Sequence, residues 1–528
     1  MDDETISRIV TEISDLRETH HTENPQPLSE QSLTSLQTLL NHSQPLDPLY
    51  DAVSPSHLIP PIATAMDSSP PPHSLLASHV FLSFLLSPNA PVFTLFTPLS
   101  FLSFLRSLRC AFKNTNPNPN NNAQQIRKRR RNSKNKKNVQ NDDDEPNSPN
   151  SVQKVDVRVL ISLFEKLVSV MGLIHLDRFP ESLKSLIQTI SEVPLTAIES
   201  CNEVQYGRLV GLCSKILKEV LKPEHGEVSE TAAEVLKAIS PFVVMPKSQV
   251  RSFAVGFVVS LSRDSDGVRK ALVNFPRYLA IKVPDKAEPR ALAVDFIMEV
   301  VRVMEVGDQV EFVKYVVKMS QGKTNLRLLA VDLILNLVTL LKDPLGVNST
   351  DEEEGNVAWG IWCLEALVKR CSDVSATIRG RALSTLAQVV GFLSGSEKAS
   401  VVLKEFMGFG DGNVAGVGGK GINEMLRRRC VDEKAVVRKA ALLFVTNLTA
   451  LLGGAIDEVV LKTMGMACSD SLLSIRKAAA SALSEVLLLP FFHEVFVVLC
   501  FVERQKCKLM QNAKFCIFGS RKPMLYSS

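Results

Sequence analysis

The ten residues DEKAVVRKAA, Asp432 to Ala441, recur with small changes elsewhere in the chain. One echo is DSLLSIRKAA, Asp470 to Ala479, and another is DVSATIRGRA, Asp373 to Ala382. Each copy has an acidic residue, a short gap, a β-branched residue, a basic residue and then small side chains. Internal repetition of this kind is typical of an array of similar units.

The spacing of apolar residues around each copy predicts a helix. From Val437 onward they fall at i, i+3, i+4, i+7 and i+11, which is one face of an α-helix. These residues are Val437, Ala440, Ala441, Phe444 and Leu448. The other copies keep that face, and their arginines are Arg251, Arg290, Arg327, Arg379 and Arg476. A further fragment, DGVRKA at Asp266 to Ala271, is assigned to the partner helix of the Arg251 copy.

The copies recur at nearly constant spacing. The first two steps between successive arginines are 39 and 37 residues, and the last is 38. These steps match the roughly 40-residue period of HEAT or armadillo units. The two intervening steps, of 52 and 59 residues, contain an acidic insertion around Glu353 and a glycine-rich insertion around Gly416. The sequence therefore predicts an all-α solenoid of HEAT/armadillo-type helix pairs, with the insertions as loops.

The residue types in the motif have a physical role in such an array. A helix pair cannot bury its own apolar stripe and must stack on its neighbours, which small alanines allow at close range. Asp432 and Asp470 stand where a helix N-cap is expected. Each repeat arginine is then expected to reach an acidic residue of its own or the next repeat, forming a ladder. The alternative is that these arginines face a nucleic-acid backbone.

Composition narrows the function classes. Of the 528 residues 45% are hydrophobic and only 6% aromatic, which favours a mostly helical chain. The net charge of +4 is too near balance to mark the whole chain as a nucleic-acid binder. Ten scattered cysteines without zinc-site spacing indicate reduced, mostly buried thiols in a cytosolic or nuclear protein. No catalytic constellation, metal site or cofactor motif stands out, so the chain is predicted to be non-enzymatic.

Four segments are predicted along the chain. Residues 1–112 form an N-terminal helical region, and residues 113–151 form a disordered linker rich in Asn, Lys and Arg. Residues 152–489 form the HEAT-repeat solenoid, and residues 490–528 form an atypical tail without the repeat pattern. Because solenoids normally end in a polar capping unit, we expect this chain to stop within its array.

Two apolar stretches raise the question of a membrane span. The first, between His79 and Phe112, is cut by Pro88, Pro91 and Pro98 into pieces shorter than the roughly 20 residues that a span requires. The second, Val486 to Val502, contains Pro490, His493 and Glu494 near its middle. Neither is predicted to cross a membrane, and the acidic N-terminus MDDETISRIV lacks a signal-peptide core.

Two groups of basic residues are candidate functional sites. RKRRRNSKNKK in the predicted linker has the density and exposure that nuclear import receptors recognise. Its basic residues are Arg127, Lys128, Arg129, Arg130, Arg131, Lys134, Lys136 and Lys137. A second group inside the repeats is aligned along one solenoid face and suits contacts to DNA phosphates, or else forms solvated helix ends. Its members are Arg427, Arg428, Arg429, Arg438, Lys439, Arg476 and Lys477.

Three segments in order carry a resemblance to a known family. They are CSDVSATIRGRALSTLAQVV at Cys371 to Val390, LRRRCVDEKAVVRKAALLFVTNL at Leu426 to Leu448, and the following SDSLLSIRKAAASALSEVL. The series resembles the HEAT-repeat core of the D-type subunits of condensin II over most of residues 152–489. Family members are much longer, so this chain is similar to one portion of them.

The resemblance implies a non-catalytic subunit in the nucleus. Such a subunit binds the kleisin of a condensin complex, works beside the paired SMC ATPases and helps the complex engage DNA to compact mitotic chromosomes. The alternative from the residues alone is a soluble HEAT adaptor, such as a nuclear transport receptor or a phosphatase scaffold. Transport receptors of this architecture tend to be strongly acidic, which fits a chain at +4 less well.

Overall fold

The computed structural model describes residues 3–19, 26–41, 46–115, 156–246, 248–263, 265–347, 358–408, 419–452 and 458–487. Within these ranges the regular structure is helical, with no β-strand. The chain divides into two compact units, Met1–Phe275 and Pro276–Ser528. The boundary falls inside one helix, at a proline. The basic run at 127–137 and the predicted tail at 490–528 lie outside the described residues, and the four predicted segment boundaries stay predictions.

The first unit is built from short and medium helices. They are α1 Asp3–Thr19, α2 Glu30–Asn41, α3 Asp47–Ala52, α4 Pro55–Ser68, α5 Pro71–Leu85, α6 Val92–Leu95, α7 Pro98–Thr115, α8 Val157–Met171, α9 Pro180–Ala197, α10 Glu203–Glu219, α11 Val228–Ile239, α12 Ser248–Ser260 and α13 Asp266–Lys282, which continues into the second unit. Short 3-10 turns follow α10, α11 and α12 at Pro223–His225, Ser240–Val244 and Leu261–Arg263.

The apolar stretch near the N-terminus is interrupted as its prolines predict. Helix α5 ends at Leu85, and α7 begins at Pro98. Its phenylalanines form a core in which the rings of Phe81 and Phe104 lie 6.4 Å apart. None of the helices that the structure describes has both the length and the apolar character needed to cross a bilayer. Most of the second stretch, Val486 to Val502, lies beyond the described ranges.

The second unit contains the repeats. Its helices are α14 Ala287–Arg302, α15 Val306–Met319, α16 Thr324–Leu340, α17 Trp359–Arg370, α18 Ala376–Leu393, α19 Glu397–Phe406, α20 Gly419–Cys430, α21 Ala435–Leu452, α22 Glu458–Ala467 and α23 Leu473–Leu487.

These helices stack in two rows. Helices α14, α16, α18, α21 and α23 each pack on the next to form the row that carries the repeat arginines. The partner helices pack beside them, with α15 on α17 and α20 on α22. Leu333, Leu386 and Phe444 are fully buried within the arginine-bearing row. Over the described residues, the predicted all-α solenoid of stacked helix pairs is confirmed.

One part of the repeat spacing differs from the prediction. The 59-residue step from Arg379 to Arg438 holds an additional helix, α19, as well as the glycine-rich segment. Ser396 caps α19 by accepting a hydrogen bond from the backbone N–H of Ala399. Prediction from periodicity alone missed this helix because it is only 10 residues long and carries no repeat arginine.

Candidate interaction surface on the stacked repeats

An aspartate organises the turn before each of the last three arginine-bearing helices. The carboxylates of Asp373, Asp432 and Asp470 accept the backbone N–H two residues further on, at 2.9, 3.1 and 2.9 Å. Each aspartate lies three residues before the first residue of its helix. The predicted N-cap role of Asp432 and Asp470 was therefore wrong in position. They close the preceding turn, because their carboxylates reach main-chain N–H groups there.

The repeat arginines connect each repeat to the next one. The Arg327 guanidinium meets the Asp373 carboxylate, with Nε 2.8 Å from Oδ2 and Nη2 3.1 Å from Oδ1. Arg379 meets Asp432 in the same two-point manner, with both distances 2.9 Å. Arg438 continues the series, with Nη2 3.0 Å from Oδ1 of Asp470. The predicted ladder is confirmed for these pairs, and in each the acid belongs to the next repeat.

Each arginine also holds its own turn closed. The Nη1 group of Arg379 donates to the carbonyl oxygens of Asp373 and Val374, both at 3.0 Å. Arg438 and Arg476 bind the carbonyl oxygens of their own turns in the same way. One guanidinium thus joins the turn before its own helix to the turn of the following repeat. Its planar set of five N–H donors makes this double contact available to arginine and not to lysine.

The ladder is irregular further toward the N-terminus. The turn before α16 has Gln321 at the position where the later turns have aspartate. Arg290 instead pairs with Asp332, inside α16, with Nε 3.0 Å from Oδ2. The other oxygen of Asp332 accepts from Nε of Arg381 at 2.6 Å. Asp332 therefore links three successive helices of the row, α14, α16 and α18.

The contacts of the ladder aspartates lower their pKa values and favour the ionised carboxylate. Burial alone would raise the pKa of Asp432, but hydrogen bonds from Arg379 and from the backbone N–H of Lys434 outweigh it and lower the pKa. The same balance, with Arg327 and Ser375 as donors, lowers the pKa of Asp373. A buried charge of this kind is stable only while its partner remains in place.

The structure divides the seven predicted DNA-contacting residues into three groups. Arg438 is in the ladder, and Arg429 donates to Asp432 at 2.8 Å, so both guanidinium groups are engaged by carboxylates. Arg427 and Arg428 both pair with Glu424 on their own helix. The remaining members are Lys439 and Lys477, which are exposed, and Arg476, which binds carbonyl oxygens of its own turn.

A groove runs over the exposed face of three arginine-bearing helices. It has a volume of about 620 Å³ and is lined by α18, α21 and α23. Small residues, among them Gly380, Ala440 and Ala478, line it beside Val436 and Leu443. The side chains of Val436 and Leu443 are 61% and 46% exposed, so much of their apolar surface lies outside the core. Of the DNA candidates, only Lys439 lines the groove.

Arg381 is a groove residue that the repeat pattern does not indicate. Its side chain is 47% exposed, and only its Nε is held by Asp332. It was missed because it does not sit at the repeat arginine position but two residues after it. The signal that could have found it is the absence of any acidic residue from α18 and α21, which leaves its helix face basic.

Within the described ranges no group of three or more histidine, cysteine or carboxylate side chains is placed to hold a metal ion. The seven described cysteines are all free thiols, and Cys213, Cys363, Cys371 and Cys430 are buried. Burial raises the pKa of Cys363 and of Cys430 to about 12, which keeps both protonated and unreactive.

Comparison with known proteins gives the family. No protein-family model matches the chain. The condensin-2 complex subunit CAP-D3 of Arabidopsis thaliana is 46% identical over 465 residues, which is 86% of this chain and 35% of that protein. The condensin-2 complex subunit D3-L of Xenopus laevis is 27% identical over 322 residues, which is 52% of this chain and 21% of that protein.

A solved structure gives a weaker likeness. The structure of the Pds5–Scc1 complex matches with a TM-score of 0.41 and 11% identity, over 93% of this chain and 63% of that chain. At this similarity it carries no functional argument. The chain spans about a third, or less, of the length of the curated relatives it matches. With 46% identity over 86% of its own length, the chain is a homologue of one portion of the D3 subunits of the condensin-2 complex.

Proposed function

We propose that this chain is a non-catalytic, regulatory scaffold of a condensin II complex. In this role it helps the paired SMC ATPases and the kleisin subunit engage DNA, so that mitotic chromosomes are condensed and organised. The observation that carries the proposal is the 46% identity to a condensin-2 D3 subunit over 86% of the chain. The chain corresponds to 35% of the length of that relative.

The architecture supports a scaffold role. Stacked repeats present long surfaces whose residues belong to successive, similar units. The ladder fixes the spacing of these units, because each of its arginines spans from one turn to the next. Such a surface holds partners in register without needing a catalytic centre.

The basic run in the predicted linker is the reason for proposing a nuclear location. Its residues, Arg127 to Lys137, include eight lysines and arginines and suit an import receptor. A fluorescent fusion of the chain is expected to enter nuclei. Replacing Arg129, Arg130 and Arg131 by alanine is expected to leave the fusion in the cytoplasm, and nuclear entry of this variant at the parent level would contradict the assignment.

Direct DNA contact is proposed for the candidate basic residues that lie outside both the ladder and the groove. Arg428 and Lys477 are exposed, and Arg427 is half-buried beside Arg428. Charge reversal of Lys477 is expected to weaken binding to a short DNA duplex. The slope of log affinity against log salt concentration should also become shallower, by the equivalent of about one phosphate contact. Unchanged affinity and salt dependence would remove Lys477 from the contact set.

The scaffold proposal is tested by reconstitution. The full 528-residue chain is mixed with a purified SMC pair and kleisin of condensin II, and complex formation is followed by size-exclusion chromatography. Co-elution with the kleisin and SMC proteins is the expected result. A folded chain, shown by circular dichroism, that elutes alone at micromolar concentrations would contradict the proposed assembly.

A further inference from the structure

The groove over α18, α21 and α23 has a consistent chemical character. Arg381 and Lys439 supply its charged groups, and no residue that lines it is acidic. Val436 and Leu443 add exposed apolar surface to the same groove. Thr377, Ser384 and Ser481 add hydroxyl groups. The surface thus combines apolar contact with positive charge and hydrogen-bonding groups.

The groove lies on the helices that lack an acidic residue at one particular repeat position. The fifth residue after the repeat arginine is aspartate in the two helices further toward the N-terminus, as Asp295 in α14 and Asp332 in α16. In the next three helices the same position is occupied by Ser384, Leu443 and Ser481, all of which line the groove. The change from carboxylate to neutral residues at one repeat position removes negative charge from this part of the face.

The ladder leaves Lys439 outside its ion pairs and Arg381 only partly engaged. The guanidinium groups of Arg379 and Arg438 are neutralised by Asp432 and Asp470, in the turns at the helix starts. Lys439 is exposed and is in none of these pairs. Arg381 uses Nε for Asp332, and its side chain is still 47% exposed. Both cations are therefore placed to receive a carboxylate from outside.

We propose that this groove binds an extended peptide segment of a partner protein, in which acidic residues flank one or two apolar side chains. The inference goes beyond the scaffold role, because it assigns a site and a ligand chemistry to three particular helices. The apolar side chains contact Val436 and Leu443, and the flanking carboxylates pair with Arg381 and Lys439. Neighbouring helix axes lie about 10 Å apart, so crossing three helices takes about 20 Å, or about six extended residues.

The side chains that line the groove favour a peptide over nucleic acid. A phosphate backbone is recognised by dense arrays of lysine and arginine, and it gains nothing from exposed valine and leucine. An extended peptide uses both features, because alternate side chains point to opposite sides and fill separate sites. Small residues such as Ala440, Ala478 and Ala482 allow a main chain to approach the helices closely.

The binding test uses a fluorescein-labelled peptide with two leucines flanked on each side by glutamate and aspartate. Its anisotropy is measured with the full chain at low and moderate salt. We expect saturable binding, and we expect a second peptide with glutamine and asparagine in place of the acids to bind at least about tenfold more weakly. Absence of binding by the acidic peptide, or equal binding of both peptides, would overturn the proposal.

Matched substitutions locate the site. Lys439→Glu is expected to weaken acidic-peptide binding about tenfold or more, whereas Lys398→Glu, an equal charge change at an exposed lysine outside the groove, leaves it unchanged. Val436→Ser is expected to weaken binding, whereas Val401→Ser, at a valine 54% exposed on α19, does not. Equal effects of the groove and control variants would overturn the assignment.

A DNA-binding experiment separates peptide from nucleic acid. A 20-base-pair DNA duplex is titrated against the same variants. One result would show that the groove is a nucleic-acid surface and that the peptide proposal is wrong. In that result, Lys439→Glu and Val436→Ser both abolish binding of the duplex, and neither variant changes binding of the acidic peptide. Because the assay needs only this chain, its result is independent of whether the chain assembles with SMC and kleisin proteins.

Discussion

Arg379 and Asp432 form a two-point ion pair between successive repeats, with Nε 2.9 Å from Oδ2 and Nη2 2.9 Å from Oδ1. The two side chains are only 11% and 3% exposed. Because parallel charged hydrogen bonds fix the orientation of both groups, this pair sets how α18 and α21 stack. The stability of the second unit should therefore depend on it.

Arg379→Gln is expected to lower the free energy of unfolding of the second unit by about 3 kcal/mol, because it leaves a buried carboxylate without its main partner. Arg428→Gln is the matched control. Arg428 is 69% exposed in its pair with Glu424, and exposed pairs contribute less than about 1 kcal/mol. The only two tryptophans, Trp359 and Trp362, lie in α17, so urea unfolding followed by tryptophan fluorescence reports on this unit. Equal losses in the two variants would contradict the ladder's role.

The contribution of Asp432 should depend on pH. Its pKa in the folded chain lies below the unfolded value of about 3.9, so on acidification the unfolded state takes up the proton first. The stability that Asp432 provides is complete above the unfolded pKa and is lost as pH falls through the folded pKa. The stability difference between the parent and Asp432→Asn should thus be constant from pH 7 to about 5 and shrink below pH 4. A difference that stays constant down to pH 3 would be inconsistent with an ionised ladder.

Gly360 is expected to be intolerant of a side chain. A Cβ there would lie 2.7 Å from the carbonyl oxygen of Pro344, a main-chain atom that also accepts the Gly360 N–H. Gly360→Ala should therefore destabilise the second unit by about 1–3 kcal/mol through overpacking.

Gly380→Ala provides the comparison. The added Cβ would lie 3.5 Å from the Val436 side chain, an ordinary contact, in the interior of a helix. Since alanine favours a helix over glycine by about 1 kcal/mol, this variant should be as stable as the parent or more stable. Urea midpoints from tryptophan fluorescence decide the matter, and a stabilised Gly360→Ala would refute the close approach.

His79 should make the first unit sensitive to mild acid. Burial, with a smaller effect from the nearby Lys166 charge, lowers the pKa of His79 to about 4. Between pH 6.5 and 4 the unfolded state binds the proton and the folded state does not, so stability falls as pH falls, by up to about 3 kcal/mol. His79→Gln should flatten this dependence.

Hydrogen exchange of the α5 segment measures the His79 effect. Rates are corrected for the intrinsic pH dependence of exchange, with α16 as the internal reference. Protection of α5 in the parent should decrease relative to α16 from pH 7 to 5, and this decrease should be smaller in His79→Gln. An identical decrease in both proteins would exclude His79 as its source.

The repeat pattern was sufficient to predict the solenoid and the ladder, because both follow from residues at fixed spacing. Asp432 and Arg438 recur six positions apart, and that interval places the arginine over its own turn. The exact turn geometry was not predictable, since the helix start depends on which N–H groups the carboxylate binds. Asp470 was therefore assigned a position too close to the helix.

The candidate surface was harder to predict than the fold. Arg438 and Lys439 are adjacent basic residues, yet one is engaged by Asp470 and the other lines the groove. Their different roles depend on the direction in which each side chain leaves the helix and on the aspartate of the next repeat. Arg381 was missed because it lies two residues after the repeat arginine, and its exposure follows from the packing of α18 against α16 and α21.

The most direct test of the condensin II assignment is affinity purification of the tagged 528-residue chain from nuclei of dividing cells, followed by mass spectrometry. We expect recovery of the SMC pair and the kleisin of condensin II at levels well above a tag-only control. Recovery of a Ran-type GTPase or phosphatase subunits in their place, from a soluble and folded chain, would contradict the condensin account and favour the adaptor alternative.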